Sequence, residues 1–185
     1  VNGSAGATGD DNVIVGNAAG YALTDGTKNI LMGSNAGDAL TTSAENVAIG
    51  YDALGAGTSG MGGNVCIGTE AGNAINNSSA DYNVIIGIGA GQGGAAAMAD
   101  CVVIGRSAMN STAGNAQTGI IAIGTNALTA LTSGVSNLAV GYNAMSGSLT
   151  VTNTVAVGHH AFGGNTDGDY NVVIGNTAMA SPGGN

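Results

Sequence analysis

The chain has 185 residues, of which 35 are glycine, 2 are basic and 11 acidic, for a net charge of −9. Only 7% are charged, against about 25% in an ordinary domain, yet 44% are apolar, which is too many for a disordered chain. Two basic residues do not neutralise a phosphate backbone, so nucleic acid and anionic membrane surfaces are excluded as partners, and there is no continuous apolar run of the ~18 residues that membrane insertion needs.

Residues 1–11 form a short polar lead-in. At Asn12-Val13-Ile14-Val15-Gly16 a five-residue word begins, and it returns as Asn29-Ile30-Leu31-Met32-Gly33 and Asn46-Val47-Ala48-Ile49-Gly50. It occurs ten times, with its glycine at Gly16, Gly33, Gly50, Gly68, Gly87, Gly105, Gly124, Gly141, Gly158 and Gly175, at spacings of 17 to 19 residues. Three residues after every one of these glycines stands an alanine, from Ala19 to Ala178. The word is β-branched or aliphatic and stopped by glycine, so it predicts a strand. A unit this short is one coil of a β-solenoid rather than a helix hairpin or a propeller blade. The reading is an all-β, single-chain parallel β-solenoid of ten coils over residues 12–185, a rod on the order of 48 Å long at the usual strand spacing. It is expected to be part of a longer fibre, because neither the lead-in nor Ser181-Pro182-Gly183-Gly184-Asn185 makes a cap.

Within each coil the glycine predicts a tight corner with positive φ, and the alanine a close approach of opposite walls. A second, weaker strand is expected after the alanine, as in Tyr21–Thr24 and Asp38–Thr41. The length differences fall after it, as at Asn76–Ala80, which marks an outer loop. Asparagine opens the word in seven coils (Asn12, Asn29, Asn46, Asn64, Asn83, Asn137, Asn171), predicting a side-chain amide ladder broken at Cys101, Ile120 and Thr154.

Strand residues alternate between faces. The columns Val13 to Val172 and Val15 to Ile174 share one face and are expected to fill the coil. The residue between them is Ile14, Leu31, Ala48, Cys66, Ile85, Val103, Ala122, Ala139, Ala156 or Val173, and all ten are apolar. A half-exposed strand is polar there. The expectation is that this central column is an oligomer interface, with three rolls around one axis, or two.

The words Asn46-Val47-Ala48-Ile49-Gly50-Tyr51-Asp52-Ala53-Leu54 and Asn137-Leu138-Ala139-Val140-Gly141-Tyr142-Asn143-Ala144-Met145 resemble the repeats of trimeric autotransporter adhesin heads and the "AIGYxAL" repeats of bacteriophage tail fibres. The resemblance covers Asn12 to Ala178. It implies a left-handed parallel β-roll assembled as a homo-trimer, located outside the cell, on a cell surface or on a virion, and used for adhesion or receptor binding. The spacing is longer than the usual autotransporter head repeat and favours the fibre type. Tyr51 and Tyr142, with Tyr82 and Tyr170, are candidate aromatic ribs for a receptor or glycan.

No catalytic constellation is legible, and no enzyme activity or cofactor is expected. Cys66 and Cys101 are two coils apart, too far for an unstrained bridge. His159-His160 would form a ring of imidazoles in a trimer and is a candidate metal site, although other coils place unrelated residues there. Asp167 and Asp169 begin like a calcium loop, but Val172 stands where its glycine is needed and Ala178 where its glutamate is needed. Gly89-Ala90-Gly91-Gln92-Gly93-Gly94 has no lysine to make a phosphate loop. Asn2, Asn76, Asn77 and Asn110 open glycosylation sequons. The expected function is a non-enzymatic structural and adhesive fibre segment, with no nucleic-acid partner and no membrane insertion. The alternatives are a fibril subunit stacking end to end, and an ice-binding solenoid, for which Thr24, Thr41 and Thr58 begin a threonine ladder that does not continue.

Overall fold

A computed structural model describes residues 9–93, 98–111, 116–148 and 150–180. Most of the lead-in, including Asn2, the end of the glycine run at Gly94, and the terminal stretch 181–185 lie outside the described residues. The chain is a parallel β-solenoid with no helix among the described residues. Its strands are β1 (Val13–Val15), β2 (Ile30–Met32), β3 (Val47–Ile49), β4 (Val65–Ile67), β5 (Val84–Ile86), β6 (Met98–Ala99), β7 (Val102–Ile104), β8 (Gln117–Thr118), β9 (Ile121–Ile123), β10 (Leu138–Val140), β11 (Val155–Val157) and β12 (Val172–Ile174). Ten of them form one parallel sheet in chain order, and β6 pairs with β8 in a second, two-stranded sheet. Every pair in the long sheet is in register, word upon word: Val47 opposite Val65, Ala48 opposite Cys66, Ile49 opposite Ile67.

The corner glycines do what the spacing predicts. Gly33 has φ 140°, and a Cβ built on it would lie 2.2 Å from the carbonyl oxygen of Gly50 in the next coil. Stacking at strand distance leaves no room for any side chain there. The alanine column is fully buried from Ala19 to Ala161. The segment after it is not a strand. Tyr21–Thr24 and Asp38–Thr41 are turn and bend, held by bonds such as Leu23 N–H to Gly20 O at 3.0 Å. The cause is local: the residue four after each corner glycine is left-handed, whether it is Gly20 (φ 56°), Leu54 (φ 54°) or Phe162 (φ 54°), and an extended strand cannot contain that geometry.

The asparagine ladder forms, and it is buried. Asn29, Asn46, Asn64 and Asn83 each donate Nδ2–H to the Oδ1 of the asparagine one coil earlier, at 2.9–3.2 Å. Each Oδ1 from Asn12 to Asn83 also accepts the backbone N–H of the next coil's equivalent residue, Cys101 closing the series at 3.1 Å. A second bond reaches a carbonyl in the next coil, as from Asn64 Nδ2 to Ala80 O at 2.8 Å. Cys101 and Thr154 keep a weaker version of that second bond, from Sγ to Gln117 O at 3.7 Å and from Oγ1 to Gly168 O at 3.3 Å. Ile120 has no polar atom to offer. The amide ladder thus breaks where the sequence says, and the β6–β8 pair lies between Asn83 and Ile120, beside the break.

The two faces of the strands are the reverse of the expectation. The central column, proposed above as the oligomer interface, points into the coil. Leu31, Ala48, Cys66, Ile85, Val103, Ala122, Ala139 and Ala156 are fully buried within the single chain, Val173 nearly so, and Ile14 packs against the same core. The flanking columns point outward. The reason is volume. A coil of about 17 residues has room inside for one strand side chain, which it shares with the left-handed residue six positions later. Where that later residue is Gly20, Gly37, Gly72 or Gly91, the central residue is Ile14, Leu31, Cys66 or Ile85. Where it is Leu54, Leu128, Met145 or Phe162, the central residue is alanine. The contact is direct: a Cβ on Gly37 would lie 2.8 Å from Leu31 Cδ2, and one on Gly72 2.8 Å from Cys66 Sγ. Two flanking columns of valine and isoleucine do not fit in such a space.

Candidate interaction face

The outward face of the long sheet carries two aliphatic columns, Val13 to Val172 and Val15 to Ile174, with no polar residue in either. In the middle of the rod these side chains are half-buried by their own neighbours. At the ends they open out, with Val13 49% and Ile174 69% exposed. At ~4.8 Å per strand and ~3.3 Å per residue the strip is roughly 50 Å long and 10 Å wide, several hundred Å² of continuous apolar surface. Isolated exposed valines are ordinary on a protein surface; an unbroken two-lane strip is not.

Two rims border the strip. One is the residue two positions before the first outward side chain, at a left-handed corner: Lys28 (φ 58°), Glu45 (φ 61°), Tyr82 (φ 59°), Asp100 (φ 55°) and Tyr170 (φ 59°) among them. The other is the residue just after the corner glycine: Tyr51, Ile88, Arg106, Tyr142 and His159 among them. These rim side chains are exposed, Tyr82 at 69% and Ile88 at 59%. Lys28 Nζ and Glu45 Oε1 form an ion pair at 3.3 Å along the first rim. It is exposed on both sides and contributes little to stability. An aliphatic centre with a polar and aromatic border is the anatomy of a protein–protein interface.

The predicted site residues distribute around this face. Tyr51 and Tyr142 lie on the second rim, 53% and 47% exposed. Tyr142 stacks on His159 with ring centroids 5.2 Å apart, and His159 meets His160 edge-on at 4.5 Å. Asn143 Nδ2 lies 3.2 Å from His160 Nε2. The two histidines therefore come together with an aromatic ring and an amide. Among the described residues no group of three or more histidine, cysteine or acidic side chains gathers in metal-binding range. Asp167 and Asp169 stay in an exposed loop apart from the histidines, where Asp169 Oδ1 accepts the N–H of Thr152 at 2.8 Å. Asn76, Asn77 and Asn110 are at least partly exposed, and Asn77 Oδ1 accepts the N–H of Ser79 at 2.9 Å. The hydroxyls of Thr24 and Thr58 donate to carbonyls of the following coil at 3.2 and 3.1 Å.

Cys66 and Cys101 are free and buried. Burial pushes the Cys66 thiol up to about 12, and raises Cys101 as well. Cys66 faces the coil interior, so it meets no cysteine of another chain. Asp38 is raised from 3.8 by partial burial and by the charge of Asp52 nearby. On the same ridge Asp52 Oδ2 accepts from Asn73 Nδ2 at 3.1 Å and Glu70 Oε2 from Gln92 Nε2 at 2.7 Å, so amides rather than cations solvate these carboxylates.

Reasoning from alternation alone missed the two flanking columns as the outward face. The signal was present: the asparagine and the central residue have the same parity along the strand, and a column whose size mirrors a second column must share a cavity with it. No protein-family model, curated protein or solved structure matches the chain.

Proposed function

We propose that the chain is a non-enzymatic structural segment of an extracellular fibre, a left-handed β-roll that assembles as a homo-trimer with its aliphatic strip turned to the common axis. The strip carries the reading. Burying it against two other copies removes several hundred Å² of apolar surface per chain from water, at about 25 cal/mol per Å² before the cost of association. Three rods around one axis enclose three such faces completely and leave no sheet face wet. The resemblance of the Gly-Tyr-x-Ala words to phage tail-fibre and adhesin repeats supports a fibre on a virion or cell surface. Tyr51 and Tyr142, exposed on the rim, suit contact with a receptor or glycan.

Light scattering tests the assembly. The expected mass is three times the 17.5 kDa of one chain. A Val84→Asp/Val102→Asp variant, which places two carboxylates on the strip, is expected to fall to monomers while its far-ultraviolet circular dichroism stays that of the parent. A well-folded monomeric parent would sink the proposal.

A further inference from the structure

The rims carry information that the uniform strip does not. We infer that the chains associate side by side, parallel and in coil register, so that the second rim of one copy meets the first rim of the next, locked by Arg106 on Asp100 and Ile88 on Tyr82. This rests on the proposed assembly and adds its direction and register.

In a ring of parallel rods related by rotation alone, each chain offers one rim to one neighbour and the other rim to the other neighbour. Coil height then decides which residues meet. Six residues of a 17-residue coil climb about 2 Å of the ~4.8 Å rise, so two registers lie close in geometry: same coil to same coil, or shifted by one. Chemistry separates them. In the same-coil register, Arg106 meets Asp100 and Ile88 meets Tyr82. Shifted by one coil, Arg106 meets Gly119 and Ile88 meets Asp100. The first register pairs the exposed cation with an acid and the exposed isoleucine with an aromatic ring. The second leaves the guanidinium beside a glycine and an aliphatic chain against a carboxylate. An antiparallel pair stacks each rim on its own kind and separates Arg106 from Asp100.

All four side chains are exposed, the Tyr82 ring resting over Gly63 of the coil before it. Among the described residues the single ion pair is Lys28–Glu45, so Arg106 and Asp100 each lack one. Tyr82 and Ile88 are among the most exposed large apolar side chains of the rod. The two pairs occupy adjacent coils, Tyr82 and Ile88 in coil five and Asp100 and Arg106 in coil six, near the middle of the strip. The valines and isoleucines that make up the strip, with Met32 and Leu138 the exceptions, distinguish one register from another only weakly, so these two coils supply the discrimination that a repeat otherwise lacks.

Cysteine pairs read the register directly. Residues 82 and 88 sit on opposite rims of one coil, beyond the two ends of the strand Val84–Ile86, and cannot bridge within a chain. The native Cys66 and Cys101 are buried and do not compete. A Tyr82→Cys/Ile88→Cys variant is expected to oxidise, on a non-reducing gel, to a covalent ring containing as many chains as light scattering counts. The single variants stay at one chain, and so does Ile88→Cys/Asp100→Cys, which probes the one-coil shift. Cross-linking of the shifted pair, or of neither pair, in protein that light scattering still finds multi-chain would overturn the register while sparing the assembly. A monomer by light scattering overturns both.

Discussion

The first five coils and the last five build the same coil with different interiors. In the first half, Asn12 to Asn83 make an unbroken amide ladder, and four of the five coils put glycine at the left-handed position beside Ile14, Leu31, Cys66 or Ile85. In the second half the ladder is interrupted at Cys101, Ile120 and Thr154, and the left-handed position holds Met109, Leu128, Met145, Phe162 or Met179 beside alanine or valine. Pairing register is identical in the two halves. The coil therefore does not depend on one recipe: the corner glycine and the buried alanine recur throughout, while the first half carries the unbroken run of polar rungs and the second half sets a large side chain at the left-handed position beside a smaller strand residue.

The comparison is broken most sharply at Phe162, the largest buried side chain of the rod. Phe162→Ala leaves a cavity in a coil whose strand residue is only Ala156, and the expected loss is about 3–5 kcal/mol in urea unfolding at fixed protein concentration. In the first half the counterpart is a rung. Asn64→Ala removes the acceptor for Asn83 and the donor to Asn46 and Ala80, stranding buried groups in two neighbouring coils. A loss of about 3 kcal/mol is expected by the same measurement, and one below about 0.5 kcal/mol would mean the ladder is ornamental. The subtlest test converts one type of coil into the other. Ala139→Leu alone overfills coil eight, and Met145→Gly alone empties it, while the double variant reproduces the Leu31–Gly37 arrangement. A double-mutant cycle is expected to show a favourable coupling of about 0.5–3 kcal/mol. Strict additivity would show that the two columns do not share one space.

How much of this was legible depended on what each residue had to satisfy. The corner glycines were readable because stacking forbids a side chain there, and the ladder because an asparagine repeated at coil spacing has one efficient partner, its own copy. The breaks at Cys101, Ile120 and Thr154 were readable for the same reason. The turn after the alanine was not, because Tyr21–Thr24 has the composition of a strand and the left-handed residue that bends it is glycine in some coils and leucine or phenylalanine in others. The side of the strand that faces the coil was not readable by alternation either. Alternation groups Val13 with Val15 and separates Ile14, but it identifies an inside only when one group is polar, and here neither is.

By itself the sequence determined the repeat, the ten parallel strands, their corners and their polar rungs, since each follows from one position and its copy a coil away. Only the tertiary structure decided which apolar column fills the coil and which faces outward. That choice depends on how much volume the wrapped chain encloses. The enclosed volume is a property of the closed coil, in which the central strand side chain and the left-handed residue six positions later share one space.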